Sequence, residues 1–384
     1  MADFDVLLPV KNGIAYLTEA IESIVHQTHV DWRLLILDHG SQDGSLELAQ
    51  RVSERDSRIV VFSLPQAGGL SELLNFGLKH CDCNYVLRQD ADDISTLNRM
   101  AVLSEVFLAD PALVLAGSKG QIINGEGKHL GEIDVPLTSA DLSASAIFKT
   151  PVAHPTVAMR LKDLNARGAF YGEDFINTVS PSDRLHVPGL AEDYFLFGQL
   201  ALTSKCINVN QNLIKYRWHD SNVSVLHQSE QLQLAIRISR YLAKSLALVH
   251  GTEHFDPASL CNHADQLAEL GEMNGQVDFT KEYQAAAALI SKILPSQSSA
   301  NRELAFRRVI SIRSIPTMAS RSLTFATRFA YRKSELRTVK SWMLRGVRRA
   351  NIGNNRPSDP AHQPPITGAS VHARPSQKPA ERLS

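Results

Sequence analysis

Three carboxylates within four residues, Asp90, Asp92 and Asp93, follow directly on the apolar run Tyr85-Val86-Leu87-Arg88. A buried strand that ends this way concentrates negative charge at one rim of a sheet, and a cation placed among the acids relieves their repulsion. Mg²⁺ takes one or two carboxylates, keeps several waters and fills its remaining positions with substrate phosphates, so the spacing points to a metal-bound diphosphate. The same residues also suit the start of a helix, where Asp and Ser cap well and the helix dipole favours acids.

Such a cluster works only if a sheet presents it. The first 118 residues alternate short apolar runs with amphipathic stretches, the pattern of a parallel sheet with crossover helices. Strands are predicted over Phe4–Val10, Trp32–Asp38, Ile59–Leu64, Tyr85–Gln89 and Leu113–Ser118, with helices over Tyr16–Gln27, Ser45–Arg55, Leu70–Lys79 and Leu97–Leu108. Ligands of open sheets bind beyond the carboxyl ends of the strands. Pro9-Val10-Lys11-Asn12, Asp38-His39-Gly40-Ser41 and Asp90-Ala91-Asp92 all fall there, so three strand ends converge on one site. Residues 119–220 are less regular and are expected to add mixed strands and loops on the acceptor side. A long helical region follows from about Gln228, with breaks near Gly251–Pro257 and Leu294–Ser299. Beyond Ile352 the Pro-rich chain is too poor in apolar residues to build a core and is expected to be disordered. The expected division is a catalytic domain over 1–225, a helical basic region over 226–350 and a tail over 351–384.

The 384 residues suffice for a large domain plus an accessory region, and 43% hydrophobic with 21% charged residues is an ordinary globular composition. No stretch reaches the length of a membrane-spanning helix, and the strand-like run starting within a few residues of the N-terminus leaves no room for a signal peptide, so a cytosolic protein is expected. Cys81, Cys83, Cys206 and Cys261 lack metal or disulfide spacing and read as reduced thiols. The zero net charge hides an asymmetry. From Asn301 onward there are 17 Lys and Arg against 4 Asp and Glu, net +13, which leaves the first 300 residues with 23 against 36, net −13.

Taken in order, Leu8-Pro9-Val10-Lys11-Asn12-Gly13, Leu37-Asp38-His39-Gly40-Ser41, Arg88-Gln89-Asp90-Ala91-Asp92-Asp93, His154-Pro155-Thr156, Ala191-Glu192-Asp193-Tyr194 and Tyr216-Arg217-Trp218-His219 resemble family 2 glycosyltransferases of bacterial cell-surface polysaccharide synthesis. The resemblance spans about residues 4–225 and implies an α/β GT-A nucleotide-sugar-binding fold. It also implies a donor site that includes Pro9, Val10 and Asn12. Asp38 or His39 is placed to hydrogen-bond a nucleobase edge, while Gly40 lets backbone approach the ligand and the same loop can serve as a strand-to-helix turn. Relatives often carry a second acid where His39 stands, a departure that leaves the donor nucleotide open. By resemblance, Asp90 faces the nucleoside and donor sugar, and Asp92 ligates a divalent metal, Mg²⁺ or Mn²⁺, that bridges the diphosphate. Asp93 caps or packs locally. Arg88 counters the acids, touches phosphate, or forms a structural ion pair. Asp193 is implied as the base that accepts the acceptor's hydroxyl proton, with Glu192 holding the acceptor or its loop, although acids also favour a helix N-terminus. His219 matches a loop in which a His approaches the metal or diphosphate. His154 matches the acceptor-side wall, or fixes a turn. Asn75 contacts the donor or packs its helix.

Polymerising members of the family that the chain resembles often add a Gln-x-x-Arg-Trp signature and several membrane helices; this sequence shows neither, so the resemblance implies single-sugar transfer rather than processive synthesis. In the basic C-terminal region Arg328, Arg332, Lys333, Arg337, Lys340, Arg345, Arg348 and Arg349 alternate with Phe325, Phe329, Trp342, Met343 and Val347. This mixture suits a helix on an anionic membrane surface beside a saccharide or lipid-linked acceptor, or else a solvated or protein-docking face. Nucleic acid is not an expected partner, because the catalytic region offers no basic groove. Two other classes stay open: a non-catalytic nucleotide-sugar-binding scaffold, and a sugar nucleotidyltransferase, whose Gly-rich phosphate loop Pro9-Val10-Lys11-Asn12-Gly13 matches poorly.

Overall fold

The computed structural model describes residues 3–219, 222, 226–273, 278–294, 297–310 and 315–351. Its first strand, β1 (Phe4–Val10), is buried at every position, because it has strands on both edges and helices on both faces. β2 (Trp32–Asp38) and β4 (Tyr85–Arg88) flank β1 in parallel, and β3 (Ile59–Ser63) pairs in parallel with β2. Mixed strands continue the sheet: β5 (Ile94–Ser95), β6 (Leu113–Ile123), β7 (His129–Ile133), β8 (Ala158–Arg160) and β9 (Lys205–Arg217). Among the described residues the order is β3-β2-β1-β4-β8-β6-β9-β5, with β7 on the side of β6. β8 runs antiparallel to both β4 and β6, so the parallel order ends at β4, where the acidic run begins.

Alternation along β1 supplies two cores. Phe4, Val6 and Leu8 face α1 (Ile14–Val25), α2 (Ser45–Ser53) and α4 (Arg99–Ala109), whose Leu17, Ile21, Ala49 and Leu103 belong to the same cluster. Leu7 faces the other way, toward α3 (Leu70–Lys79), α6 (Leu161–Arg167) and α7 (Glu192–Thr203), through Leu74, Leu164 and Phe197. The predicted ends of β1, β2 and α3 coincide with those observed. β6 runs to Ile123 rather than Ser118, because it pairs with β9 along its length and with β7 over its far half. α4 begins at Arg99 rather than Leu97, since the Leu97 carbonyl accepts the Thr28 amide at 2.8 Å and is held in the preceding loop.

The later helices are α8 (Gln228–His250), α9 (Ala264–Glu269), α10 (Phe279–Ile293), α11 (Gln297–Ile310), α12 (Ile315–Arg328) and α13 (Lys333–Asn351). They share a core with α5 (Ser139–Ala146) and the residues that follow it: Ile147 and Phe148 cluster with Ile236, Leu289 and Leu304. Phe306, Met318, Phe325 and Val339 tie α11, α12 and α13 together. The expectation of a membrane-facing apolar set is corrected here, because Phe325 is 2% exposed and Trp342 and Met343 pack against the same cluster. The basic side chains also find partners within the chain. Arg332 meets Asp141 at 2.9 Å, Lys333 meets Glu132 at 2.6 Å, and Arg302 meets Glu335 at 2.7 Å. The charge asymmetry is thus partly internal complementarity. No helix among the described residues is long and apolar enough to cross a membrane. The predicted boundary at 225, the tail from 352, and the side chains of Arg345, Val347, Arg348 and Arg349 lie outside the described residues.

Candidate active site

A cavity of about 760 Å³ opens beyond the carboxyl ends of β1, β2 and β4. Pro9, Val10, Asn12, His39, Arg88, Asp90, Asp92, His154, Glu192, Asp193 and His219 all line it. Asp38 and Asn75 do not. Asp38 is fully buried and its Oδ2 accepts the amides of Gly40 at 3.0 Å and Ser41 at 3.2 Å, so it shapes the turn, with Gly40 at φ 73°. His39 is the member of that pair at the cleft, its Nε2 hydrogen-bonded to the Ala67 carbonyl at 2.8 Å. Asn75 clamps the backbone of Tyr171, donating to its carbonyl at 2.9 Å and accepting its amide at 2.8 Å, so the packing alternative holds for it.

The loops after β1 and β2 are tied together by Asn12, whose amide donates to Ser41 Oγ at 3.0 Å and whose Oδ1 accepts the Gln42 amide at 2.8 Å. Asn12 sits in the left-handed region, φ 54°, which Asn tolerates better than most residues. At the end of β4, Arg88 is 2% exposed and donates from Nη2 to Asp90 Oδ1 at 2.6 Å. Burial holds Asp90 above the usual carboxylate range against the opposing pull of Arg88. Asp93 points away from the cleft: it is fully buried, and its Oδ1 accepts the Arg217 amide at 2.8 Å. Asp92 remains 29% exposed, with His219 Nε2 3.0 Å from its Oδ2.

Two arginines outside the predicted set hold this arrangement. Arg217 donates to the Asp92 carbonyl at 2.9 Å and the Gly125 carbonyl at 2.8 Å, and lies over the Tyr16 ring, which also stacks on His219. Arg99, fully buried, donates to Gln89 Oε1, Ser95 Oγ and the carbonyls of Arg88 and Pro155 at 2.7–3.0 Å. It therefore joins the acidic loop to the His154-Pro155 turn. A signal existed in the sequence, since a cation in the first turn of the helix predicted from Leu97 opposes the dipole and asks for another reason to be there.

Across the cavity α7 opens on Glu192, 3% exposed, and Asp193. Burial, reinforced by the Asp193 charge, pushes Glu192 up to about 8; burial pushes Asp193 up to about 6. His154 Nδ1 is 3.9 Å from Glu192 Oε1, its Nε2 has no hydrogen-bond partner, and burial holds the ring neutral, with a pKa well below the ordinary value. Leu190, two residues before Glu192, lines the cavity at φ 68°, where a bulky side chain is strained.

The Asp92 carboxylate and His219 imidazole form an oxygen and nitrogen donor pair open to the cleft, which fits Mg²⁺ or Mn²⁺ that completes its shell from a diphosphate. A second cluster, Asp5, Asp82 and Cys83, lies at the opposite ends of the strands and already holds a cation, the Arg33 guanidinium, 2.7 Å from Asp5 and 3.0 Å from Asp82.

Residues 5–167 match the family model described as glycosyl transferase family 2. The chain carries a family 2 glycosyltransferase domain. The parallel half sheet, its mixed continuation and the cleft at the strand ends are the GT-A fold expected for such a domain. Among curated relatives, an uncharacterized glycosyltransferase of Haemophilus influenzae is 26% identical over 237 residues, covering 60% of this chain and 69% of the relative. An O-antigen biosynthesis glycosyltransferase, WbnJ, of Escherichia coli is 28% identical over 177 residues, 44% of this chain and 68% of that protein. The chain spans only 33% of an uncharacterized glycosyltransferase of Rickettsia bellii that is 26% identical over 251 residues. Among solved structures, Staphylococcus aureus TarS 1–349 in complex with UDP-GlcNAc aligns with TM-score 0.49 at 15% identity, covering 86% of this chain and 93% of TarS 1–349. The mannosyltransferase PcManGT of Pyrobaculum calidifontis, in complex with GDP-Man and Mn²⁺, aligns with TM-score 0.46 at 15% identity, covering 92% and 88%.

Proposed function

We propose that this family 2 glycosyltransferase is inverting, moving one sugar per turnover from a nucleotide-diphosphate sugar to a saccharide or lipid-linked saccharide of the cell surface. The observation that carries the reading is that two separate sets, Asp90, Asp92 and His219 on one side and Glu192 and Asp193 on the other, open onto one cavity. One set suits a diphosphate, the other a hydroxyl. Asp193 accepts the proton of the attacking hydroxyl: with a pKa raised to about 6 it is ionised at neutral pH yet more basic than an ordinary carboxylate. Glu192, raised further, keeps its proton and leaves the negative charge on Asp193. Arg88 holds Asp90, which would face the nucleoside and donor sugar. Asp92 with His219 would hold a divalent metal, which when bound supplies Lewis-acid stabilisation of the departing diphosphate. The His39 ring at the cleft would meet the nucleobase. Alignment and electrostatics then provide most of the acceleration.

The likeness to an O-antigen enzyme supports a surface-glycan acceptor. A peripheral place on the inner face of the cell membrane belongs to the same proposal, with Arg328 and Lys340 exposed for it. The test is a panel of UDP, GDP and dTDP sugars followed by thermal shift with and without Mn²⁺, then by release of the nucleotide. A metal-dependent shift and turnover with one donor class is expected. Stabilisation without any turnover would favour the scaffold reading, and no response to any donor would overturn the assignment.

A further inference from the structure

The C-terminal helix reaches the same cavity. Ser334, Arg337, Thr338, Ser341 and Trp342 of α13 all line it, at helical spacings of three and four that make one continuous stripe. A helix stripe turned inward is ordinarily apolar. This one instead presents hydroxyls, a guanidinium and an indole. The helix is anchored from outside the stripe as well as within it. Lys333 pairs with Glu132, the Ser334 amide donates to Asp134 at 2.9 Å, and Val339 is buried in the C-terminal cluster. The Trp342 indole is fixed by its Nε1–H, which donates to the Asn262 carbonyl at 3.1 Å. Residues 5–167 supply the donor loops, whereas this wall comes from the far end of the chain.

From this wall we infer that α13 forms the acceptor subsite, and that the acceptor lies as a saccharide along Thr338, Ser341 and the Trp342 ring. The chemistry fits: hydroxyl side chains both donate and accept hydrogen bonds, as sugar hydroxyls require, and a rigid aromatic ring offers an apolar face at little entropic cost to the C–H face of a pyranose. The inference rests on the glycosyltransferase reading, and the experiment separates the two.

Fluorescently labelled full-length protein, with Mn²⁺ and the donor's nucleotide, is applied to an array of bacterial surface saccharides, and nucleotide affinity is measured in parallel. Wild type is expected to bind a restricted group of saccharides. Trp342→Ala should weaken that binding about tenfold or more, the scale of losing an aromatic anchor, with nucleotide affinity unchanged. Ser341→Phe adds bulk to the wall without removing a side-chain partner and should block the same saccharides, so a loss is not merely the unseating of α13. Leu344→Gln, at a 55% exposed position outside the stripe, is the control and should bind as wild type. Nucleotide binding with no saccharide bound by wild type, or equal saccharide binding by wild type, Trp342→Ala and Ser341→Phe, overturns the subsite. Absence of nucleotide binding by wild type would instead defeat the glycosyltransferase reading beneath it.

Discussion

The roles proposed for Asp92 and Asp193 are separable, and single substitutions should divide them. Asp92→Ala removes the exposed oxygen beside His219, so metal-dependent transfer should fall by about 100-fold or more while the melting temperature holds, because one of several repelling acids is lost. Wild-type turnover by this variant in metal-containing buffer would refute the role. Asp193→Asn should lower transfer by roughly 10²- to 10⁴-fold, the range of a general base, yet bind donor and metal as before. Loss of donor binding in its place would move Asp193 to the donor site. The acidic pair also sets two pH dependences. As the proposed base Asp193 must be ionised, and its pKa is raised to about 6, so kcat/KM should fall as pH drops through about 6. Glu192 is raised from 4.5 to about 8, so the folded state binds its proton more tightly than the unfolded chain. That stabilisation is full below the unfolded value and is lost as pH rises toward 8. Glu192→Gln should therefore melt at a higher temperature than wild type at pH 8, with the gap closing near pH 5; a gap that does not change with pH would remove this account.

Among the elements, α4 is where a single side chain joins two parts of the site. Arg99 at its first position holds carbonyls of both the β4 end and the His154-Pro155 turn. Arg99→Met keeps most of the volume but strands those carbonyls and the Gln89 and Ser95 side chains, at a cost of about 3 kcal/mol. Chemical denaturation would show the loss, and donor binding should weaken with it because Asp90 and His154 lose their common tether. Unchanged stability would mean that the network carries no net energy. The same elements explain which readings of the sequence succeeded. β1 and β2 were legible to the residue because a strand buried on both faces reads as a continuous apolar run, and α3 because an amphipathic helix leaves its period in the side chains. The far half of β6 was not, because its extension depends on partners nearly a hundred residues away in β9.

For the whole molecule, the basic C-terminal helices are wall and core as well as surface. Leu304 of α11 belongs to the cluster of Phe148 and Leu289, and Arg332 pairs with Asp141 of α5. A chain ended at residue 296 should therefore melt well below the full-length protein or aggregate, and Leu304→Ala alone should cost roughly 2–5 kcal/mol. A shortened chain with the full-length melting temperature and turnover would show that these helices are appended. Salt should weaken vesicle binding by the full chain, if Arg328 and Lys340 mediate it, before it disturbs the partly buried pairs that dock α13.

Sequence by itself determined which residues are the candidates for chemistry: an acidic run after a buried strand, a second acidic pair at a helix start and a His in a later loop are local patterns of residue type and order. It also determined the sheet that presents them, through periodicity. Only the tertiary structure decided which of two neighbours faces the cleft, as between Asp38 and His39, since a one-residue step at a turn reverses direction. Only the structure showed that Asn75 serves Tyr171, that Arg99 and Arg217 tie the loops, and that a helix from the C-terminal region lines the cavity. Each of those facts is a contact between segments far apart in the chain, and such contacts are set by packing and charge complementarity that no local window of sequence contains.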